Sequence, residues 1–313
     1  MPIVKTDVPQ TYRLCSEAIR EITETYPFCR AGVIGATAFD RLVETLIIGS
    51  GPRKVLFTAA HHANEWITAT LLLKFAEDLA EAIASDGELY GIPARLFNTN
   101  CTIHLVPMVD PDGVDLVTGA ISVGSLQWEQ ARRLADRYPA IPFPEGWKAN
   151  LLGVDLNLQY PAGWMQAREI KFSQGYTRPG PRDYVGRAPL DQLESRALAE
   201  YTRYIDPALV LAYHTQGKAI YWQFEDDYVE GAQALAEEFA RLSGYSVEET
   251  PYESSFAGYK DWFIKLFRRP GFTIEAGQGV NPLPLSQFPE IYADNLGILT
   301  TAALGLPEPA ENE

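Results

Sequence analysis

At 313 residues with 46% hydrophobic composition, the chain is long enough to bury a sizeable core, and 26 Lys and Arg against 41 Asp and Glu give a formal charge of −15. That balance disfavours nucleic acid and anionic membrane as partners. Cys15, Cys29 and Cys101, odd in number and scattered, suit free thiols in a reducing compartment and not a disulfide framework.

Length alone allows about two domains. Apolar runs and helical stretches nevertheless alternate from end to end without a linker, so a single α/β unit spanning 1–313 is expected. Residues 9–26 show helical apolar spacing at Tyr12, Cys15, Ile19, Ile22 and Tyr26. The residues before them lack a basic head and a long apolar core, so no signal peptide is read and a cytoplasmic location is expected. Val55-Leu-Phe-Thr-Ala-Ala60 is a short apolar run, a buried strand that leads into the polar turn His61-His-Ala-Asn-Glu-Trp66. A helix is expected to start near Asn64 or Glu65 and to run through Phe75. His62 and Glu65, with two residues between them where a strand end breaks into a turn, can face one point, and zinc is the expected guest. Taken alone, the same segment also reads as a polar helix start capped by Asn64.

Cys101-Thr-Ile-His-Leu-Val-Pro107 alternates as a half-buried strand would, with His104 on it. Gly119 to Lys148 and the Pro/Gly-rich Gly175 to Pro189 read as long loops that rim a cleft, after which Pro189 to Ala199 opens an amphipathic helix. Ala208-Leu-Val-Leu-Ala-Tyr213 is a second apolar run, closed by His214 and the turn Thr215-Gln-Gly217. Of four histidines, His61 adjoins the motif but should point elsewhere and His104 lies within a strand, so His214 is the remaining candidate for a third ligand. Two strand ends at one sheet edge can converge on one metal, and two His with one Glu leave a fourth position open, as a catalytic zinc requires. Glu275 follows the apolar Phe272-Thr-Ile274, a charge at the end of a buried strand. Such a carboxylate is either functional or paired, here with Arg268 or Arg269 as the alternative partner.

The order His62-x-x-Glu65, Trp147-Lys-Ala-Asn150, Gly153-Val-Asp-Leu-Asn157, His214, Glu275 resembles the zinc carboxypeptidase family, over about residues 10 to 303. Further segments, Pro181-Arg-Asp-Tyr184, Ile220-Tyr-Trp222, Ala257-Gly-Tyr-Lys-Asp-Trp-Phe263 and Gly279-Val-Asn-Pro-Leu-Pro284, are similar to its bacterial γ-D-glutamyl-meso-diaminopimelate peptidases, which cut peptidoglycan stem peptides. The resemblance implies a mixed, mostly parallel twisted sheet of about eight strands with helices on both faces. It implies one zinc per chain held by His62, Glu65 and His214, with Glu275 as base toward the attacking water and Asp155 orienting the first histidine. Lys148 stands where the carboxypeptidases place the arginine that polarises the scissile carbonyl.

One departure bears on substrate. The carboxypeptidases follow the residue matching Asn157 with an arginine that grips the terminal carboxylate, and here Leu158 follows it. Leucine makes no carboxylate clamp. Lys260, or failing it Arg182 or Lys218, is expected to hold a substrate carboxylate, and Tyr252 and Tyr259 flank the place of the family's mobile tyrosine as site-wall aromatics. The expected partner is a muropeptide or peptide. Competing readings are an ordinary zinc carboxypeptidase, a zinc amidoacid deacylase on the same fold, and a catalytically dead muropeptide-binding relative.

Overall fold

The computed structural model describes residues 2–306; Met1 and residues 307–313, which the expected unit of 1–313 includes, lie outside the described residues. Eight strands form one sheet: β1 (Arg30–Ala36), β2 (Leu42–Ile48), β3 (Arg53–Thr58), β4 (Cys101–Val106), β5 (Leu209–His214), β6 (Ala219–Tyr221), β7 (Ser246–Val247) and β8 (Gly271–Glu275). Their order across the sheet is β1-β2-β4-β3-β5-β8-β6-β7. The four central strands, β4, β3, β5 and β8, run parallel, while β1, β2 and β6 join by antiparallel pairing. Every residue of β4 and β5 is buried, which explains their near-continuous apolar character. His104 is accordingly buried and not half-buried, its Nδ1 2.7 Å from the Tyr201 hydroxyl.

Register brings the site together. Thr58 pairs with Ala212, and Glu275 lies directly opposite His214, so β3, β5 and β8 end at the same edge. Parallel strands of this kind leave their carboxyl ends facing a crevice, where open α/β sheets bind ligands.

Helices Ile67–Ala84, Tyr12–Thr25 and Phe288–Leu304 pack together in one group, and Tyr259–Phe267 lies against β5 and β8. The N-terminal helix is shorter than 9–26 because the Thr11 hydroxyl accepts the Leu14 N–H and caps it. The second helix also departs from expectation. A 3₁₀ turn, Ala63–Glu65, precedes it, and the α-helix begins at Ile67. Thr68 explains the delay: its hydroxyl accepts the Ala60 N–H at 3.0 Å and donates to the Glu65 carbonyl at 2.7 Å, tying both ends of the turn to the first helical residues. Residues three apart eclipse in a 3₁₀ turn, so His62 and Glu65 face the same way.

The segment from Gly119 to Lys148 is not all loop, since Ser125 caps a helix over Leu126–Ala135. The helix expected from Pro189 starts at Leu193, because Leu190 and Gln192 give their N–H groups to the backbone and side-chain oxygens of Gln159. A small apolar cluster around Trp147, Ala131 and Leu116 sits beside the main core and anchors the stretch that carries Lys148.

Candidate active site

His62, Glu65 and His214 are all buried, and each offers a ligand atom within 4.8 Å of the others. His62 Nδ1 lies 2.9 Å from Glu65 Oε1 and 3.2 Å from His214 Nδ1, and His214 Nδ1 lies 2.9 Å from Glu65 Oε2. Tetrahedral zinc at bond lengths of about 2.0–2.1 Å places its ligand atoms about 3.3 Å apart, so these separations suit one ion. The donor chemistry asks for one as well. With His62 Nε2–H committed to Asp155 Oδ1 at 3.2 Å, the lone pair of neutral Nδ1 meets a carboxylate and a second imidazole nitrogen. Only a proton or a cation relieves that convergence. Burial pushes His62 down and Lys148 adds to this, but the charges of Glu65 and Asp155 outweigh both and hold the ring up to about 9.

Asp155 is itself locked, because its Oδ1 also accepts the Asn157 N–H at 3.1 Å and its Oδ2 the Asp183 N–H at 3.2 Å. Burial opposes its charge, yet His62, Lys148 and Lys171 together hold the carboxyl below its ordinary range. Lys148 is fixed by backbone on both sides, donating its N–H to the Pro181 carbonyl at 2.7 Å and accepting the Ala63 N–H at 3.1 Å. Its Nζ reaches Glu65 Oε1 at 3.3 Å. Glu275, partly buried at the end of β8, is pushed up to about 8 by burial and by Glu65, against the pull of Lys148 and His62. The alternative partners of Glu275 are engaged elsewhere: Arg268 pairs with Asp227, and Arg269 with Asp206 at 2.8 Å.

The cleft has two chambers. One of about 260 Å³ is lined by Asn157, Leu158, Lys171, Lys260 and Asp261 among others. The other, of about 630 Å³, is lined by Asn64, Glu145, Gln216 and Asn281 among others. Lys148, Arg182, Tyr221 and Glu275 line both, so these four residues stand at the junction beside the ligand triad.

The remaining expected site residues divide. Asn157 lies in the cleft, its Oδ1 accepting the Tyr259 N–H at 3.0 Å and its Nδ2 3.5 Å from His214 Nε2. Lys260 lines the smaller chamber but is buried, with Nζ 2.6 Å from Asp261 Oδ1 and bonded to the Gln223 carbonyl. Lys218 lines neither chamber and pairs with Glu290 at 2.6 Å and Asp294 at 2.9 Å. Tyr252 is 66% exposed, beside the rim residues Pro251 and Ser254. Tyr259 is not a wall aromatic: it is fully buried, with its hydroxyl 2.8 Å from that of Thr202 and its ring among Tyr160, Trp262 and His61. A tyrosine at the first turn of an amphipathic helix carries no mark of which face it takes. His61 is outside the ligand group: its ring stacks on His214 at 5.6 Å between centroids, with its Nε2 3.2 Å from the Tyr160 hydroxyl. Sequence reasoning passed over Lys171 and Asp183, a buried pair at 2.8 Å; a lysine late in a polar helix gives no sequence signal of burial.

A buried pair of histidines with one glutamate at the carboxyl edge of a parallel sheet, faced by a second glutamate, defines a zinc hydrolase site. The chain belongs to the zinc carboxypeptidase family, whose profile matches residues 15–297, and it is a zinc metallopeptidase. It is 41% identical over 287 residues to gamma-D-glutamyl-L-diamino acid endopeptidase 1 of Lysinibacillus sphaericus, covering 92% of this chain and 70% of that protein. An uncharacterized protein of Bacillus subtilis, YqgT, is 38% identical over 287 residues, covering 91% of this chain and 74% of that protein. Bovine thrombin-activatable fibrinolysis inhibitor, solved in complex with tick carboxypeptidase inhibitor, shares the fold at a TM-score of 0.72 with 16% identity, over 95% of this chain and 97% of that one. No helix among the described residues is long and apolar enough to cross a membrane.

Proposed function

We propose that this chain is one catalytic unit that hydrolyses the amide between γ-D-glutamate and meso-diaminopimelate in peptidoglycan stem peptides. The observation that carries the reading is the 41% identity, over 92% of the chain, to a relative named for γ-D-glutamyl-L-diamino acid cleavage. The cleft supports it: Leu158 lines the smaller chamber, where an apolar side chain offers no clamp for the terminal carboxylate of an ordinary peptide. Three free, buried thiols support a reducing, cytoplasmic setting, in which soluble muropeptides are the substrate. The charge of −15 supports neither nucleic acid nor anionic membrane as a partner.

In this reading His62, Glu65 and His214 hold one zinc. Zinc, when bound there, acidifies water and polarises the scissile carbonyl. Glu275, opposite His214 in the sheet, takes a proton from the attacking water on its carboxylate and delivers it to the departing amine. Lys148, at the junction of the chambers, sets its ammonium beside the charge that grows on the carbonyl oxygen. Asp155 keeps His62 in one tautomer by holding its Nε2–H.

The test is an assay of L-Ala-γ-D-Glu-meso-diaminopimelate beside the corresponding L-Lys peptide and a blocked dipeptide with a free C-terminus. Cleavage of the first at the γ-D-glutamyl amide, with the blocked dipeptide left intact, is expected. A blocked dipeptide cut fastest would make the protein an ordinary carboxypeptidase, and equal cleavage of the L-Lys peptide would remove the distal carboxylate from the recognition.

A further inference from the structure

Among the described residues four lysine and arginine side chains line the cleft, and the three lysines are committed within the protein. Lys148 pairs with Glu65 at 3.3 Å, Lys171 with Asp183 at 2.8 Å and Lys260 with Asp261 at 2.6 Å. Arg182 differs. Its Nε donates to Asp183 Oδ2 at 2.6 Å, while Nη1 and Nη2 make no hydrogen bond among the described residues. The side chain is 41% exposed and lines both chambers, beside Lys148 and Glu275.

Its support is built. Asp183 divides its carboxylate between Arg182 and the buried Lys171, so the trio carries one net positive charge, and that charge is presented on the free edge of the guanidinium. The Asp183 backbone, at φ 63, donates its N–H to Asp155 Oδ2 and so ties the arginine's anchor to the residue that holds His62. A non-glycine residue in that left-handed region costs about 1 kcal/mol or more and persists only where neighbours fix it. The free edge of an arginine accepts a carboxylate in two parallel hydrogen bonds, which an ammonium cannot do.

We propose that Arg182 reads a substrate carboxylate flanking the scissile amide, with Asp183 and Lys171 as its positioning residues, an inference that rests on the γ-D-glutamyl reading above. The junction of the chambers is where the scissile amide must lie to meet Glu275 and the ligand triad, so the carboxylate read by Arg182 stands only a few bonds from that amide. Two groups of the substrate meet this description: the α-carboxylate of the γ-linked glutamate on the acyl side, and the α-carboxylate of the diamino acid on the amine side. An ordinary α-linked peptide bears neither when its C-terminus is further away.

The experiment compares wild type, Arg182→Gln and Arg182→Lys on L-Ala-γ-D-Glu-meso-diaminopimelate and on two analogues, each with one of these carboxylates converted to its carboxamide. Zinc content and melting temperature are measured for every variant. Wild type should lose about 10- to 100-fold in kcat/KM on one analogue, the loss of one charge-assisted contact, and that analogue identifies the source of the carboxylate. Arg182→Gln should lose the same factor on the parent peptide and cease to distinguish acid from amide, and Arg182→Lys should recover part of the preference. Lys171→Met should raise KM for the acid and not for the amide, with Lys171→Arg restoring it; a purely structural role would lower melting temperature without that split. In a Glu275→Gln background, calorimetric affinity for the uncleaved peptide should weaken in parallel. An acid preference that survives in Arg182→Gln, or that wild type lacks on both analogues, overturns the role of Arg182 while leaving the γ-D-glutamyl reading intact. Failure of wild type to cut the parent peptide overturns that reading and the inference with it.

Discussion

Replacing Asp155 with asparagine keeps the size of the side chain, removes its charge and turns one acceptor oxygen into an NH₂ donor. Oδ1 accepts from both His62 Nε2 and the Asn157 N–H, and Oδ2 accepts from the Asp183 N–H. An asparagine has one acceptor oxygen. If it keeps that oxygen toward His62 and Asn157, its amide NH₂ faces the Asp183 N–H, donor against donor, at a buried position. Leaving such a buried group unsatisfied costs about 1–3 kcal/mol of stability. The neutral carbonyl also no longer supports the basicity of His62, and loss of a partner of this kind weakens metal binding by about 10–100-fold. That factor corresponds to about 1.4–2.7 kcal/mol. The assay is competition for zinc against a chelator of known affinity, with thermal unfolding of the zinc-free protein measured in parallel. Asp155→Asn should show both losses. A variant that binds zinc as tightly as wild type would refute the claim that Asp155 fixes the histidine.

Further outcomes separate the roles of neighbouring groups. Glu275→Gln should retain zinc by elemental analysis and lose about 10²–10⁴-fold in kcat, since general-base catalysis is of that size; unchanged turnover would end its role as proton carrier. His214→Ala should lose the metal, whereas His61→Ala should keep it, because His61 lies outside the ligand group and its Nε2 contacts the Tyr160 hydroxyl. Glu194, buried and helped by Asp112, is pushed up to about 7 from an ordinary 4.5, against the hydrogen bond from Asn150. A carboxyl raised in the folded state contributes stability fully below the unfolded value and loses it as pH rises through the folded one, an effect of about 3 kcal/mol here. Denaturant titrations from pH 4.5 to 8 should therefore show a downward trend in wild type that is shallower in Glu194→Gln, and identical slopes would count against it.

The sequence by itself determined the local pieces of this site. Val55–Ala60 and Ala208–Tyr213 are apolar runs broken by polar turns; the hydrophobic effect buries such runs, and their short length between turn residues reads as strand, with His62 and His214 at the ends. The separation of His62 and Glu65 by two residues likewise puts them on one side of a turn, and the 3₁₀ form of that turn brings them into eclipse. Tertiary structure decided what no local pattern encodes. The register that puts Glu275 opposite His214 comes from which strands are neighbours, and β8 joins β5 across more than fifty residues of intervening chain. Which cation remains free was equally illegible, because a lysine or arginine looks alike in sequence whether it is paired or not. Lys218 meets Glu290 only in the fold, and Arg182 keeps its guanidinium edge open only because its neighbour Asp183, held by Lys171 of the helix Trp164–Ser173, binds it through Nε alone. Tyr259 makes the same point from the apolar side: a helix start places it near the cleft, but the packing of that helix on β5 and β8 turns its ring into the core.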